Sequence, residues 1–390
     1  MKDKISTTVS RIVPSVIREM GLRAEAYENV ISLGIGEPDF HTPAPICQSA
    51  LEDAVKGATH YTPSRGDQEL VAALLQYIGD TRNITLNGGQ LCVTHGGMGA
   101  LIAGLRAVLD PGDEVIVIEP HFPSYKAQIT FAGGIPVFVS TRFEDRFLVR
   151  PEKVQEAISA KSKVLILNSP NNPTGCVVPG AVLDQLAALA VDNDLLVISD
   201  EVYDRLVFDG PFESIYSRPG MADRTMVVNS FSKSFAMTGW RIGYCYGPEW
   251  LMEEVVKVAT YFTSCPNSVG QRAALAALRA DEEQFANMAQ EFRERCLFAY
   301  DRLRNMVGIR VHPPSGSFYL FPSVAGITDD STRFALDLLD REQVVVIPGS
   351  AFGPSGNPCI RISCTVDRGL LEEALDRIER FVRISAGRKS

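Results

Sequence analysis

The chain reads as an α/β protein: a three-layer αβα large domain around a mostly parallel seven-stranded sheet, with a smaller α+β domain beside it. Two observations predict this. Between residues 90 and 250, apolar runs rich in Val and Ile alternate with helical patterns, as strands buried on both faces by covering helices do. After residue 250 the pattern turns long and helical to about 306, then mixes short strands with helices. The 390 residues fit two domains and a large core.

In chain order, residues 1–45 hold a short amphipathic segment and the turn-rich LGIGEPDFHTPAP. Candidate strands follow at LCVT (91–94), EVIVIE (114–119), IPVFVS (135–140), KVLILN (163–168), LLVIS (195–199), TMVVN (225–229) and RIGYCY (241–246). Between them lie helical patterns such as GALIAGLRAVL and GAVLDQLAALAVDNDL. SFYLF, VVVIP and CIRISC are the strands of the last stretch, accompanied by two helices. The domains divide as 46–285 for the large one and 1–45 with 286–390 for the small one. No linker-like tract separates them, which predicts a broad interface with a cleft.

The composition excludes several classes. The net charge is −9 and no long basic run occurs, which argues against nucleic acid as a partner. No apolar run approaches the roughly 20 residues of a membrane helix, and the first twenty residues lack a signal peptide's apolar stretch. Eight scattered cysteines without C-x-x-C, and five histidines, give no zinc-ligand spacing. Scattered cysteines fit a reducing compartment. The expectation is a cytoplasmic protein without a metal.

Six stretches carry chemistry. Asn229 to Gly243 places Lys233 directly after a buried strand, among small hydroxyl residues. A lysine there is costly unless its pKa falls or it is used covalently, and a strand exit suits Schiff-base chemistry. The serines of this stretch and Arg241 supply donors for an anionic phosphate; the plainer reading is a surface loop lysine. Ile198 to Tyr203 ends an apolar strand in Asp200 and Glu201, where α/β ligand sites form. An acid there can keep a pyridinium nitrogen protonated, with Tyr203 near the same ring; otherwise Asp200 is a helix N-cap. Asn168 to Gly175 is a rigid turn able to present Asn172.

Thr94 to Leu101 opens a helix with small residues, so that backbone N–H groups can approach a phosphate. As a dinucleotide fingerprint it fails, because Gly97-x-Gly99 is followed by Ile102 where the third glycine belongs. Glu119 to Tyr125 offers Phe122 as an aromatic to stack on a flat ring. Cys359 to Cys364 buries Arg361 in an apolar strand, which calls for an anionic partner: a substrate carboxylate or a structural acid.

Together these motifs, in order from about Ile31 to Arg380, resemble the class I/II aminotransferase family of the fold-type I pyridoxal-phosphate enzymes (the aspartate aminotransferase superfamily). The resemblance implies an aminotransferase that moves an amino group from an L-amino acid to a 2-oxo acid by a ping-pong mechanism, with pyridoxal 5'-phosphate as cofactor. It implies that Lys233 binds the cofactor aldehyde and shuttles the proton. Asp200 pairs with the pyridine nitrogen, and Tyr203 and Asn172 contact the ring's phenolic oxygen. Gly97, Met98, Ser230 and Arg241 form the phosphate cup, and Phe122 stacks on the ring. Arg361 clamps the substrate carboxylate, helped by the backbone of Gly36. Tyr61, in HYTPSRG, reaches the phosphate of a neighbouring subunit, so a homodimer with shared sites is implied. The Asn172–Pro173 bond matches one that is cis in relatives.

Two positions depart from the pattern. Met98 stands where aspartate-preferring relatives carry a polar or basic residue, and Phe122 where many have Trp or Tyr. Both weaken an assignment of aspartate as donor. Two alternatives stay open: a β- or γ-eliminating lyase or specialised-metabolism synthase using the same cofactor, and a transcription regulator's effector module. The second is disfavoured because no basic region precedes Ile31.

Overall fold

The computed structural model describes residues 4–10 and 12–386. The ends of the small domain's expected span, 1–3 and 387–390, lie outside the described residues, as does residue 11. Seven strands form one sheet: β1 Leu91–Thr94, β2 Glu114–Glu119, β3 Ile135–Ser140, β4 Ser162–Asn168, β5 Leu196–Asp200, β6 Thr225–Ser230 and β7 Gly243–Tyr246. Their order is 1-7-6-5-4-2-3. Every neighbouring pair is parallel except those of β7, which runs antiparallel to β1 and β6.

Alternation along the strands produces the three layers. Val115, Val117, Val164, Ile166, Ile198, Met226 and Val228 bury one face against the helices Gly96–Val108, Ser124–Ala132 and Glu249–Thr263. Ile116, Leu165, Leu167 and Val197 face the opposite way, onto Pro151–Ala157 and Gly180–Asp192. On that same side Leu91, Val93, Val227 and Tyr244 pack with Gln68–Arg82 and Ser268–Arg279. Because β4, β5 and β6 are parallel and in register, Asn168, Asp200 and Ser230 emerge at the same edge of the sheet. That edge, at the strands' carboxyl ends, is where open α/β sheets bind ligands.

The expected strands stand within a residue or two of their predicted bounds. RIGYCY is shorter than predicted, because Arg241 adopts a left-handed φ of 57° after the tight turn Thr238–Trp240. VVVIP is two strands, not one. Val344–Val345 runs parallel to Ile31–Ser32, while Ile347–Pro348 pairs with Ile360–Ser363, which also pairs with Tyr319–Leu320. The long helical stretch is three helices, broken at Ser264 (φ 60°) and at Ala280. The last of them, Glu282–Leu303, carries Phe285 in the large lobe's core and Met288 and Phe292 in the small lobe's. One rigid element therefore spans the expected 285/286 boundary. Tyr203, Leu206 and Ala236 join the small lobe's cluster, so the lobes share a continuous apolar seam. Among the described residues no helix is long and apolar enough to cross a membrane.

Candidate active site

A cavity of about 290 Å³ lies over the carboxyl ends of β4, β5 and β6, roofed by the small lobe. Eleven of the twelve residues singled out in the sequence line it: Gly36, Gly97, Met98, Phe122, Asn172, Asp200, Tyr203, Ser230, Lys233, Arg241 and Arg361. Tyr61 does not. It is 89% exposed, on the outer surface of its own chain.

Lys233 sits on the single turn Phe231–Ser234 after β6. Ser230 caps this turn by accepting from the Ser232 amide at 3.1 Å, and the buried Phe231 and Phe235 rings, 4.9 Å apart, anchor it. The lysine Nζ donates to the Gly36 carbonyl at 2.5 Å, across the cleft from its own turn. Burial lowers its pKa to about 8; Glu37 opposes the shift, while Arg361 and Arg241 reinforce it. No carboxylate among the described residues lies within ion-pair distance of this amine.

Asp200 closes β5 at 4% exposure. No helix begins there: turns follow, and the carboxylate is not an N-cap. The Tyr125 hydroxyl donates to its Oδ2 at 2.5 Å, and the Asn168 amide donates to its backbone carbonyl at 3.0 Å. Burial raises the carboxyl to about 6, against the Tyr125 and Val202 hydrogen bonds that favour its anion. A buried carboxylate without a cation is expensive, so it is built to receive one.

Arg361 presents the complementary deficit. It is 2% exposed, and burial pulls its pKa down. Nη1 donates to the Asn172 side-chain oxygen at 2.9 Å and Nη2 to the Gly34 carbonyl at 2.6 Å, while Nε has no partner. The Tyr319 ring lies 4.5 Å from the guanidinium and Phe352 5.0 Å. No carboxylate among the described residues pairs with this buried cation, which leaves room for an anion to complete it. Asn172 is fixed in turn by its own amide, which donates to Asn168 Oδ1 at 2.9 Å. Its bond to Pro173 is cis.

At the other end of the cavity, the helix Gly96–Val108 starts without a side-chain cap, so its first N–H groups stay free for an anion. Gly96 has φ 64°, and a Cβ there would lie 2.8 Å from the Arg241 Nη2. The Arg241 guanidinium thus packs against the helix start, near Ser230 and Ser232. Phe122 meets the Tyr125 ring edge-on at 5.6 Å and walls the space between this cup and Arg361.

Three contributors went unnoticed in the sequence. Tyr125 and Asn168 both stood at the ends of stretches already singled out. Tyr319 carried no signal beyond membership of a short apolar strand. It holds Tyr203 by a 3.0 Å contact between the two hydroxyls.

The residues therefore offer an uncapped helix with an arginine for a phosphate, a buried acid for a cationic nitrogen, a flat apolar wall, and a second arginine for a carboxylate. A phosphorylated pyridine ring beside an amino acid fits these deficits. Fold and site together define a two-lobed α/β enzyme of amino-group chemistry, of fold type I. The family model for class I and II aminotransferases matches residues 28–378. Among curated relatives, the aspartate aminotransferase of Thermotoga maritima is 40% identical over 382 residues, covering 97% of this chain and 99% of the relative. The aromatic-amino-acid aminotransferase 2 of Thermococcus litoralis is 39% identical over 383 residues, covering 97% and 98%. The crystal structure of the Thermotoga maritima enzyme superposes with a TM-score of 0.92, covering 97% of this chain and 100% of the other at 40% identity. That of an aromatic aminotransferase from Pyrococcus horikoshii gives 0.89, covering 94% and 99% at 39% identity. The chain belongs to the class I and II aminotransferase family. It is an enzyme with transaminase activity, and the lyase or synthase alternative is not favoured.

Proposed function

We propose that the chain binds pyridoxal 5'-phosphate through Lys233 and transfers the amino group of an L-amino acid to a 2-oxo acid by a ping-pong route. One observation carries this reading: a half-buried lysine of lowered pKa stands in the same cavity as a buried acid that lacks a cation and a buried arginine that lacks an anion.

When bound, the cofactor supplies an aldehyde for exchange with amines and an electron-withdrawing ring. The chain does the rest. Asp200, oriented by Tyr125, holds the proton on the ring nitrogen. Tyr203 and Asn172 donate to the phenolic oxygen, and Phe122 packs on the ring. The start of the helix Gly96–Val108, through Gly97 and Met98, binds the phosphate with Ser230 and Arg241. Arg361 takes the substrate's α-carboxylate at its free edge, beside the Gly36 backbone. The amine of Lys233, with a pKa near 8, is deprotonated often enough at neutral pH to accept the proton from the substrate's Cα. Tyr61 serves the neighbouring subunit of a homodimer. Eight unpaired cysteines suit a reducing compartment such as the cytoplasm.

The donor is best read as an amino acid with an apolar or aromatic side chain. Ile17, Ile35, Met98, Leu101 and Tyr319 line the remaining wall, and the cavity's three cations, Lys233, Arg241 and Arg361, are already engaged in this scheme. A second carboxylate would lack a counter-charge on this chain, a deficit worth several kcal/mol in a dry site.

Lys233→Ala tests the core of the proposal. The purified protein should show the Schiff-base absorption of bound cofactor and covalent fixation by borohydride, and the variant should show neither. A variant that retains both would mean that another lysine carries the cofactor.

A further inference from the structure

We infer that Tyr319 is a positioning residue that orients the Tyr203 hydroxyl and the Arg361 guanidinium together. It thereby links the group facing the ring oxygen to the group facing the substrate carboxylate. This rests on the proposed cofactor site and gives Tyr319, so far only part of the cavity's wall, a positioning role in it.

Tyr319 is 1% exposed, on the short strand Tyr319–Leu320, where it is the register partner of Ser363. Arg361 lies two residues before Ser363 on the same neighbouring strand, so the pairing fixes the phenol relative to the guanidinium. The ring covers the guanidinium at 4.5 Å, a cation–π contact that holds a planar cation in one orientation. The far end of the same ring meets Tyr203 hydroxyl to hydroxyl at 3.0 Å. Phe318 then packs edge-on against the Tyr203 ring at 5.4 Å, which leaves that hydroxyl little freedom except the direction of its proton.

That direction matters. A tyrosine has one proton to donate. If Tyr203 donates into the cavity, its oxygen must accept from elsewhere, and the Tyr319 hydroxyl is in place to donate. The opposite polarity would turn the Tyr203 proton away from the ring. The backbone beneath reflects the same demand for space: a Cβ on Gly36 would lie 1.8 Å from the Tyr319 hydroxyl oxygen. Gly36 also accepts the Lys233 hydrogen bond at 2.5 Å. One phenol therefore abuts the neighbours of all three functional groups.

The test compares Tyr319→Phe, Tyr319→Leu, Tyr203→Phe and the double variant Tyr203→Phe with Tyr319→Phe, all as holoenzymes. Tyr319→Phe keeps the ring on Arg361 and removes only the hydroxyl. It should lower kcat about fivefold, leave KM within about twofold, and shift the pH midpoint of the bound cofactor's absorption. Tyr319→Leu should in addition raise KM about tenfold, through loss of the ring over Arg361. In the Tyr203→Phe background, Tyr319→Phe should change kcat by less than about twofold, because the two act as one unit. Equal losses in both backgrounds, or an absorption midpoint that does not move, would overturn the coupling. Borohydride fixation on Lys233 in the wild-type enzyme separates the two levels: its failure would sink the cofactor reading, whereas its presence with additive losses would sink only the role of Tyr319.

Discussion

Asp200 shows how a buried acid without a cation weakens the fold that carries it. Its pKa in the folded chain is about 6, against 3.8 for the free side chain. Between those values the folded state binds more protons than the unfolded one, so stability falls as pH rises through that window. Above about pH 6 the full cost is present, on the order of 3 kcal/mol by the size of the shift. Asp200→Asn keeps an acceptor for Tyr125 and removes the charge. Without cofactor, the variant should be more stable than wild type at pH 7, with the gain vanishing below about pH 4; urea titrations at the two pH values measure this. With cofactor its kcat should fall by about a hundredfold or more, because the ring nitrogen loses its partner. An equal gain at both pH values would assign the cost to something other than the charge. Arg361 carries the same kind of cost, as a buried cation without an anion. Arg361→Lys keeps a positive charge but loses the planar fork, so KM for the amino acid should rise at least about tenfold while cofactor affinity stays unchanged in a fluorescence titration. At this scale the sequence was legible wherever a charge interrupted an apolar run, as at Lys233, Asp200 and Arg361. Tyr125 and Tyr319 were not, since an aromatic near a strand reads as core and its hydroxyl partner lies 75 or 116 residues away.

Elements place these side chains through close backbone approach more than through side-chain fit. The start of helix Gly96–Val108 lies directly on β7. A Cβ on Gly243 would stand 2.6 Å from the Gly96 carbonyl carbon and 2.8 Å from the Gly97 nitrogen, and both neighbours are backbone and cannot swing aside. Gly243→Ala should therefore push the helix start away from Arg241 and Ser230, lowering affinity for inorganic phosphate and for the cofactor about tenfold or more while the Arg361 end keeps its affinity for simple carboxylates. Equilibrium dialysis with each ligand separates the two ends; matched losses would mean a global rather than a local disturbance. Several of the sheet strands, such as EVIVIE, KVLILN and TMVVN, could be read from their Val- and Ile-rich runs because helices cover both faces. In the small lobe the same reasoning merged two strands into VVVIP, since apolar runs do not reveal which neighbour each half pairs with. Val344–Val345 and Ile347–Pro348 join different ladders, and Pro348 adds no N–H to extend the second. RIGYCY likewise hid the left-handed Arg241, because nothing in its side chain signals a positive φ.

At the scale of the whole molecule, the loop that bears Gly34 and Gly36 is tied to the long helix shared by both lobes. Nη1 of Arg295, on that helix, donates to both carboxylate oxygens of Asp39 at 2.8 and 2.9 Å, which anchors the loop to the helix. The cavity of a single chain nonetheless lacks one expected contributor, because Tyr61 points to solvent at 89% exposure. If Tyr61 serves a neighbouring subunit, two defective variants should repair each other. In a hybrid of Lys233→Ala with Tyr61→Ala, one site collects both defects and the other receives an intact lysine and an intact tyrosine. Random reassortment of equal amounts makes about half the dimers hybrid, each with one normal site, so the mixture should recover about a quarter of wild-type activity after subunit exchange. Neither variant alone should approach that value. If the mixture stays at the mean of its components while exchange is verified by mass-tagged subunits, the sites are not shared and Tyr61 plays no part across the interface.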